Sequence, residues 1–243
     1  ALLGGCITID ERDAALVTSR YEELERIGEQ ETAGLKEIPS PKLMPLCMAY
    51  SKLKRYNKLF PCLDRLEENV RRGDRRQIDS DEFFKRNPLM VRLGDRVGVP
   101  RKVLEGDVST DPYLMRAEAY IDLGRYAEAV EQAKKAHANI PTDLPSKKRQ
   151  EMEIWATGMI GLAYALGGDR GNALKTATEL ENVSTAYPYT LLRGDKAMGL
   201  AKIHLALKDY SKAMEAIEQG KDTLSDSFLK GVVDMMFIGE TKG

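Results

Sequence analysis

The stretch "LMRAEAYIDLGRYAEAVEQAKKA", from Leu114 to Ala136, constrains the fold more than any other part of the chain. Its alanines fall at helical spacing on both sides of Gly124, so it reads as two amphipathic helices joined by a tight reversal. Alanines let two backbones approach closely, and Tyr120 and Tyr126 fill the space that remains. The same order returns in "IGLAYALGGDRGNALKTATEL", where Gly161 and Tyr164 precede a Gly168-Asp169 turn and Ala173, Ala177 and Leu180 follow it. It returns again in "LAKIHLALKDYSKAMEAIEQG", with Leu200, Ala201 and Leu207 before Tyr210, Ala213 and Ile217, and His204 in the tyrosine position. A more divergent copy, "LCMAYSKLKRYNKLFPCLDRL", carries Leu46, Cys47, Tyr50, Leu53, Tyr56, Leu59, Leu63 and Leu66.

Four copies with one internal order predict an all-α chain built by repetition. The pattern Ala117, Tyr120, Leu123, Gly124, Tyr126, Ala129, Ala133, Ala136 and Pro141 resembles the tetratricopeptide repeat, with Tyr113 in the usual tryptophan slot and Arg116 replacing the usual leucine. The resemblance implies a TPR-like α-solenoid, a right-handed superhelix of antiparallel helix pairs. The spacing departs from that family's length of about 34: 44 residues separate Ala129 from Ala173, and 40 separate Ala173 from Ala213. The surplus lies in "PTDLPSKKRQEMEIWATGM", where Pro145 and Ser146 read as an N-cap to one long helix ending near Leu166.

The predicted organisation is a tail over residues 1–12 and the solenoid over 13–243, with an irregular insertion at about 70–110. That insertion, "RRGDRRQIDSDEFFKRNPLMVRLGDRVGVPRK", is broken by Gly, Asp and Pro, and 70 residues separate Leu59 from Ala129. Upstream, Leu16, Tyr21, Leu24 and Ile27 share a face and read as the second helix of a partial first unit. Pro39, Pro41 and Pro45 mark a turn into the next helix. Downstream, Phe228, Leu229, Val232, Val233 and Met236 begin a further apolar-faced helix, so the chain is expected to continue at both ends.

Leu3-Gly4-Gly5-Cys6 resembles the lipobox of bacterial lipoproteins, which implies lipidation of Cys6 and attachment to the membrane, in the cell envelope or periplasm. The alternatives are a bare tail and a cytoplasmic protein. Cys47 and Cys62 sit on apolar faces, where buried thiols behave as small hydrophobes. Export would allow the two to pair across one hairpin.

Lys+Arg 37 against Asp+Glu 38 leaves a net charge of -1, so no global field draws the chain to nucleic acid, and no nucleic-acid partner is expected. Runs such as Arg71 to Arg76 and Lys147 to Arg149 have acidic neighbours and no interleaved aromatics, and read as solvated surface. Of the two histidines, His204 fills a packing slot and His137 ends a helix. No metal-ligand, nucleophile-elbow or phosphate-loop motif is present, so neither catalytic residues, metal nor cofactor is expected.

Function is therefore sought on the solvent face of each first helix, which lines a groove in this architecture. The positions are Met44 and Met48; Leu114, Glu118 and Asp122; Trp155, Leu162 and Leu166; and Met198, Lys202 and Leu205. Soft methionines and the single tryptophan suit adaptable recognition of a protein or peptide. The groove is equally open to closure by the chain's own inserted segment. The repeats that clamp chaperone carboxyl-termini carry Lys, Asn and Arg along this face, and those are mostly missing here.

From about Leu43 to Gly243 the text, with "YLMRAEAYIDLGRYAEAVEQAKKA" its clearest part, also looks like the repeat region that precedes a CHAT domain in bacterial proteins. That resemblance implies a sensing or scaffolding arm for a caspase-like domain, although no residue here matches the Cys-His pair. The leading expectation is a non-enzymatic scaffold, with a cytosolic α-solenoid regulator of a peptide or nucleic acid, or an envelope-assembly lipoprotein, as alternatives. Oligomeric state is left open.

Overall fold

The computed structural model describes residue 15 and residues 19–77, 106–184 and 190–220. Among these the chain is all-helical, with α1 (Tyr21–Thr32), α2 (Ser40–Lys52), α3 (Tyr56–Arg71), α4 (Asp111–Asp122), α5 (Tyr126–Ala138), α6 (Ser146–Leu166), α7 (Arg170–Asn182), α8 (Thr190–Ala206) and α9 (Tyr210–Gly220). Contacts divide the chain into two units, Ala1–Met115 and Arg116–Gly243, with the boundary inside α4. The tail at 1–12, including Cys6, the insertion between 78 and 105, and the apolar segment around Phe228 lie outside the described residues.

One turn is used over and over. At the end of α2 the amide of Arg55 donates to the Tyr50 carbonyl at 2.8 Å and that of Lys54 to Ser51 at 3.0 Å. This is the paired 6→1 and 5→2 closure that satisfies a helix's last carbonyls, and it requires a left-handed residue between them. Arg125 to Tyr120 at 2.8 Å, Asp169 to Tyr164 at 2.9 Å and Asp209 to His204 at 2.8 Å repeat it. The left-handed residues are Lys54, Gly124, Gly168 and Lys208, with φ of 55°, 71°, 82° and 59°. Glycine holds that conformation without a Cβ clash, whereas the two lysines carry a strain of roughly 1 kcal/mol each.

A further copy stands at the start. The amide of Arg20 donates to Ala15 at 2.9 Å, and Ser19 between them has φ 56°. That turn leads into α1. In each of these turns the backbone amide four residues beyond the turn closes the next helix, as in Leu59 to Arg55 at 2.8 Å and Ala213 to Asp209 at 3.0 Å.

In the first unit α1 packs on α2 and α2 on α3. Leu24, Leu43, Leu59, Leu63 and Leu66 are fully or almost fully buried there. Cys47 on α2 and Cys62 on α3 are joined by a disulfide, with Cα atoms 5.7 Å apart. The expectation of two buried free thiols is thus corrected: the hairpin brings both Cα atoms within bridging range. The proline cluster also differs from its reading as a turn. Pro41 lies at the start of α2 and Pro45 inside it, after a non-helical Pro39. The N-terminus of α2 is capped from a distance, because the Ser40 amide donates to Asp74 Oδ2 at 2.8 Å. The insertion's two edges meet, with Val108 N donating to Arg75 O at 2.9 Å and Arg75 pairing with Asp107 at 3.2 Å.

In the second unit α5 packs on α6, α6 on α7 and α8, α7 on α8, and α8 on α9. Helix α6 thus touches its own partner α7 and the first helix of the next pair, α8, which is TPR-like α-solenoid packing. The core runs through Ile154, Ala173, Ala177, Leu180, Leu200, Ala201, Ile203 and Ile217. Helix α6 spans the predicted length, but Pro145 is the capping position and Ser146 makes no side-chain cap.

Candidate functional site

Glycine in the middle of a helix costs roughly 0.5–1 kcal/mol relative to alanine, so Gly158, Gly161 and Gly199 need a packing reason. A Cβ on Gly158 would stand 3.5 Å from the Gly199 Cα, and one on Gly199 would stand 3.0 Å from Leu180 Cδ2. A Cβ on Gly161 would stand 2.5 Å from Ile203 Cδ1, inside contact distance of a residue with no solvent exposure. The contacts 158 to 199 and 161 to 203 advance together, so α6 and α8 run parallel with their backbones in close approach.

That approach sets two stripes side by side. Trp155, Leu162 and Leu166 lie on α6 at i, i+7 and i+11, and Met198, Lys202 and Leu205 on α8 at i, i+4 and i+7. Trp155 is 47% exposed and Leu166 38%, whereas Leu162 and Leu205 are partly buried against the core of this unit. Met198 is half-buried and Lys202 exposed. Trp155 lies one turn before Gly158 and Asp195 one turn before Gly199, so the close approach of those glycines brings the indole and the Asp195 carboxylate to one level of the two helices. Burial holds the Asp195 carboxyl above its ordinary range, the Trp155 indole lowers it, and the negative charge of Glu151 raises it again.

Asp195 and Glu151 were missed when the face was read from sequence. Their signal is spacing, since Glu151 lies four residues before Trp155 and Asp195 three before Met198. On α4, Glu118 is half-buried and Asp122 exposed. In the first unit Met48 and Leu114 are half-buried, but Met44 is 5% exposed and belongs to the core. A side chain so buried presents nothing to a partner, and the reason is that α2 packs against both α1 and α3.

The arginines of the basic run pair with acidic neighbours. Arg71 pairs with Glu68 at 2.5 Å, Arg72 with Glu68 at 2.8 Å, and Arg76 with Asp74 at 3.5 Å. An open cleft of about 630 Å³ at the α4–α5 turn has Arg125, Glu128, Tyr164 and Asp169 on its walls. There Arg125 lies 4.5 Å from the Tyr120 ring centroid and pairs with Glu128 at 2.8 Å. His204 is 3% exposed, burial pushes its pKa down, and its Nδ1 has no hydrogen-bond partner, so the neutral imidazole packs as the aromatic it replaces.

Among the described residues there is no group of three or more metal-ligating side chains, and no helix is long and apolar enough to cross a membrane.

Residues 110–137 match the family model described as a tetratricopeptide repeat. The matched stretch covers α4 and nearly all of α5, including the Gly124 turn. No curated protein matches the chain. No solved structure matches it.

Proposed function

We propose that this chain is a non-enzymatic interaction scaffold that binds a protein or peptide partner on the face shared by α6 and α8. A tetratricopeptide repeat points to protein–protein interaction. The observation that carries the assignment to this face is Trp155, 47% exposed on a helix whose backbone approaches α8 closely at Gly158 and Gly199. Tryptophans that become buried on binding are among the residues that dominate interfaces.

The test is capture of a partner by the complete gene product, wild type against Trp155→Ala. Loss of roughly 2 kcal/mol of binding, about thirtyfold, is expected with helicity by circular dichroism unchanged. Unchanged binding, or a collapse of helicity, contradicts the reading.

Export to an oxidising compartment with Cys6 lipidated is the second reading, and the Cys47–Cys62 disulfide favours it, because such bonds persist outside reducing cytosol. Metabolic labelling with a palmitate analogue tests it: label that is absent, or that survives Cys6→Ser, sinks the anchor. The finer reading as a sensing arm of a CHAT protein rests on the sequence resemblance alone, and the codons around this segment test it.

A further inference from the structure

The chain already shows how it holds a cation: the Arg125 guanidinium stacks 4.5 Å from the Tyr120 ring centroid while pairing with Glu128 at 2.8 Å. The α6–α8 face sets out the receiving half of that arrangement: the Gly158–Gly199 approach brings Trp155 and Asp195, each one turn earlier on its helix, to one level, and Glu151 lies one turn before Trp155 on α6. The lysines in range do not complete it. Lys196 is turned to the carbonyls of Glu181 and Val183, at 2.5 and 3.0 Å. Lys202 is seven residues from Asp195, about 10 Å along a helix. Glu151 pairs with Lys148 at 3.1 Å, but both side chains are more than a third exposed and such a pair is easily exchanged.

Resting on the docking reading above, we propose that the occupant of this face is a peptide segment presenting an arginine, whose guanidinium stacks on Trp155 and pairs with Asp195 and Glu151. The charge of the site selects a cation. Its shape selects arginine over lysine, because a planar guanidinium stacks on an indole and meets carboxylates through two parallel N–H bonds, whereas an ammonium is a hydrated point charge. Leu162, Leu166 and Met198 along the same stripes favour apolar residues flanking that arginine. The polarity is opposite to that of repeats that clamp a carboxyl-terminus with basic side chains.

The chain's single tryptophan makes the experiment direct. Trp155 fluorescence is followed as the whole protein is titrated with end-blocked peptides of one apolar sequence carrying Arg, citrulline, Lys or Glu at the centre. The arginine peptide is expected to bind about tenfold or more tightly than the citrulline peptide, with lysine between. Asp195→Asn, which keeps the side chain's size and removes its charge, should remove that preference. Equal affinity for the arginine and citrulline peptides, or tightest binding of the glutamate peptide, overturns the cation assignment. If the peptides bind without charge preference and Trp155→Ala, read by calorimetry, abolishes binding, the docking face stands and only its proposed occupant falls. Failure of every peptide to bind counts against both.

Discussion

The α2–α3 hairpin and the α6–α8 pair bring helices together by different means. In the first unit the contact is fixed by a covalent bond between Cys47 and Cys62, and both helices are also tied to α1, where Lys58 reaches Glu25 and Glu29, both at 2.8 Å, and Tyr50 donates to Glu29 at 2.9 Å. In the second unit it is fixed by the absence of side chains, at Gly158, Gly161 and Gly199. A staple holds a hairpin whatever its surface shape. Close backbone approach instead sets the spacing of the outward stripes, and that is where Trp155 and Asp195 are brought into register.

The difference is broken most strongly by removing the staple. The 15-residue separation of Cys47 and Cys62 makes the disulfide worth about 3 kcal/mol in a chain-entropy account. A Cys47→Ser, Cys62→Ser protein, or the reduced protein, should lose about 2–4 kcal/mol in the first unit. Hydrogen exchange is the measurement, with α1 to α3 expected to lose protection while α6 to α9 keep theirs.

The converse change is Gly161→Ala. Its methyl group meets Ile203, and overpacking costs roughly 1–3 kcal/mol against up to about 1 kcal/mol gained in helix propensity. A net loss of about 1–2 kcal/mol in urea unfolding is expected, together with a shift in Trp155 emission as α8 is displaced. A neutral or stabilising result means the helices have room to part, and the stripes are then not set by this contact.

Smaller effects belong to the shared turn. Lys54→Gly and Lys208→Gly relieve left-handed strain, so each should raise stability by about 0.5–1 kcal/mol, one in each unit. Gly168→Ala should do the opposite by a similar amount, in a position with open space around it, which isolates backbone strain from packing.

The smallest expected effects are on pH. Lys58 and Tyr50 hold the Glu29 carboxyl below its ordinary range. Its contribution is present above the unfolded pKa and is lost as pH falls through the folded one, so mild acid should weaken the first unit. Tyr50 is pushed up to about 12 by burial and by Glu29, so what it adds fades as pH rises from about 10 toward that value. At Asp195 the sign reverses: a carboxyl held high destabilises the fold when charged, and acid relieves it. Salt above the physiological range should blunt the Glu29 effect first, since Lys58 is exposed.

Much of the architecture was legible because packing slots demand small residues at fixed spacing. Ala129, Ala173 and Ala213 were readable as one recurring position, and each is fully buried. The turn was legible where it carries Gly124 or Gly168 and obscure at Ser19, Lys54 and Lys208, because a left-handed residue that is not glycine leaves no local signal. The disulfide lay beyond periodicity, which places two cysteines on apolar faces but does not fix the angle between helices. On the candidate face the exposed aromatic was legible as the one tryptophan outside the packing pattern. Its neighbour Asp195 was not, because which residues of two helices come together depends on their separation, and that is set by glycines whose role only tertiary contact reveals.

Quenching of Trp155 fluorescence by caesium and by iodide at matched ionic strength tests the docking face most directly, since no partner is needed. An exposed indole beside Asp195 and Glu151 is expected to be quenched, and more by the cation relative to iodide than free tryptophan amide is. No quenching by either ion, or a caesium-to-iodide ratio no higher than that of free tryptophan amide, would contradict an exposed aromatic in acidic surroundings.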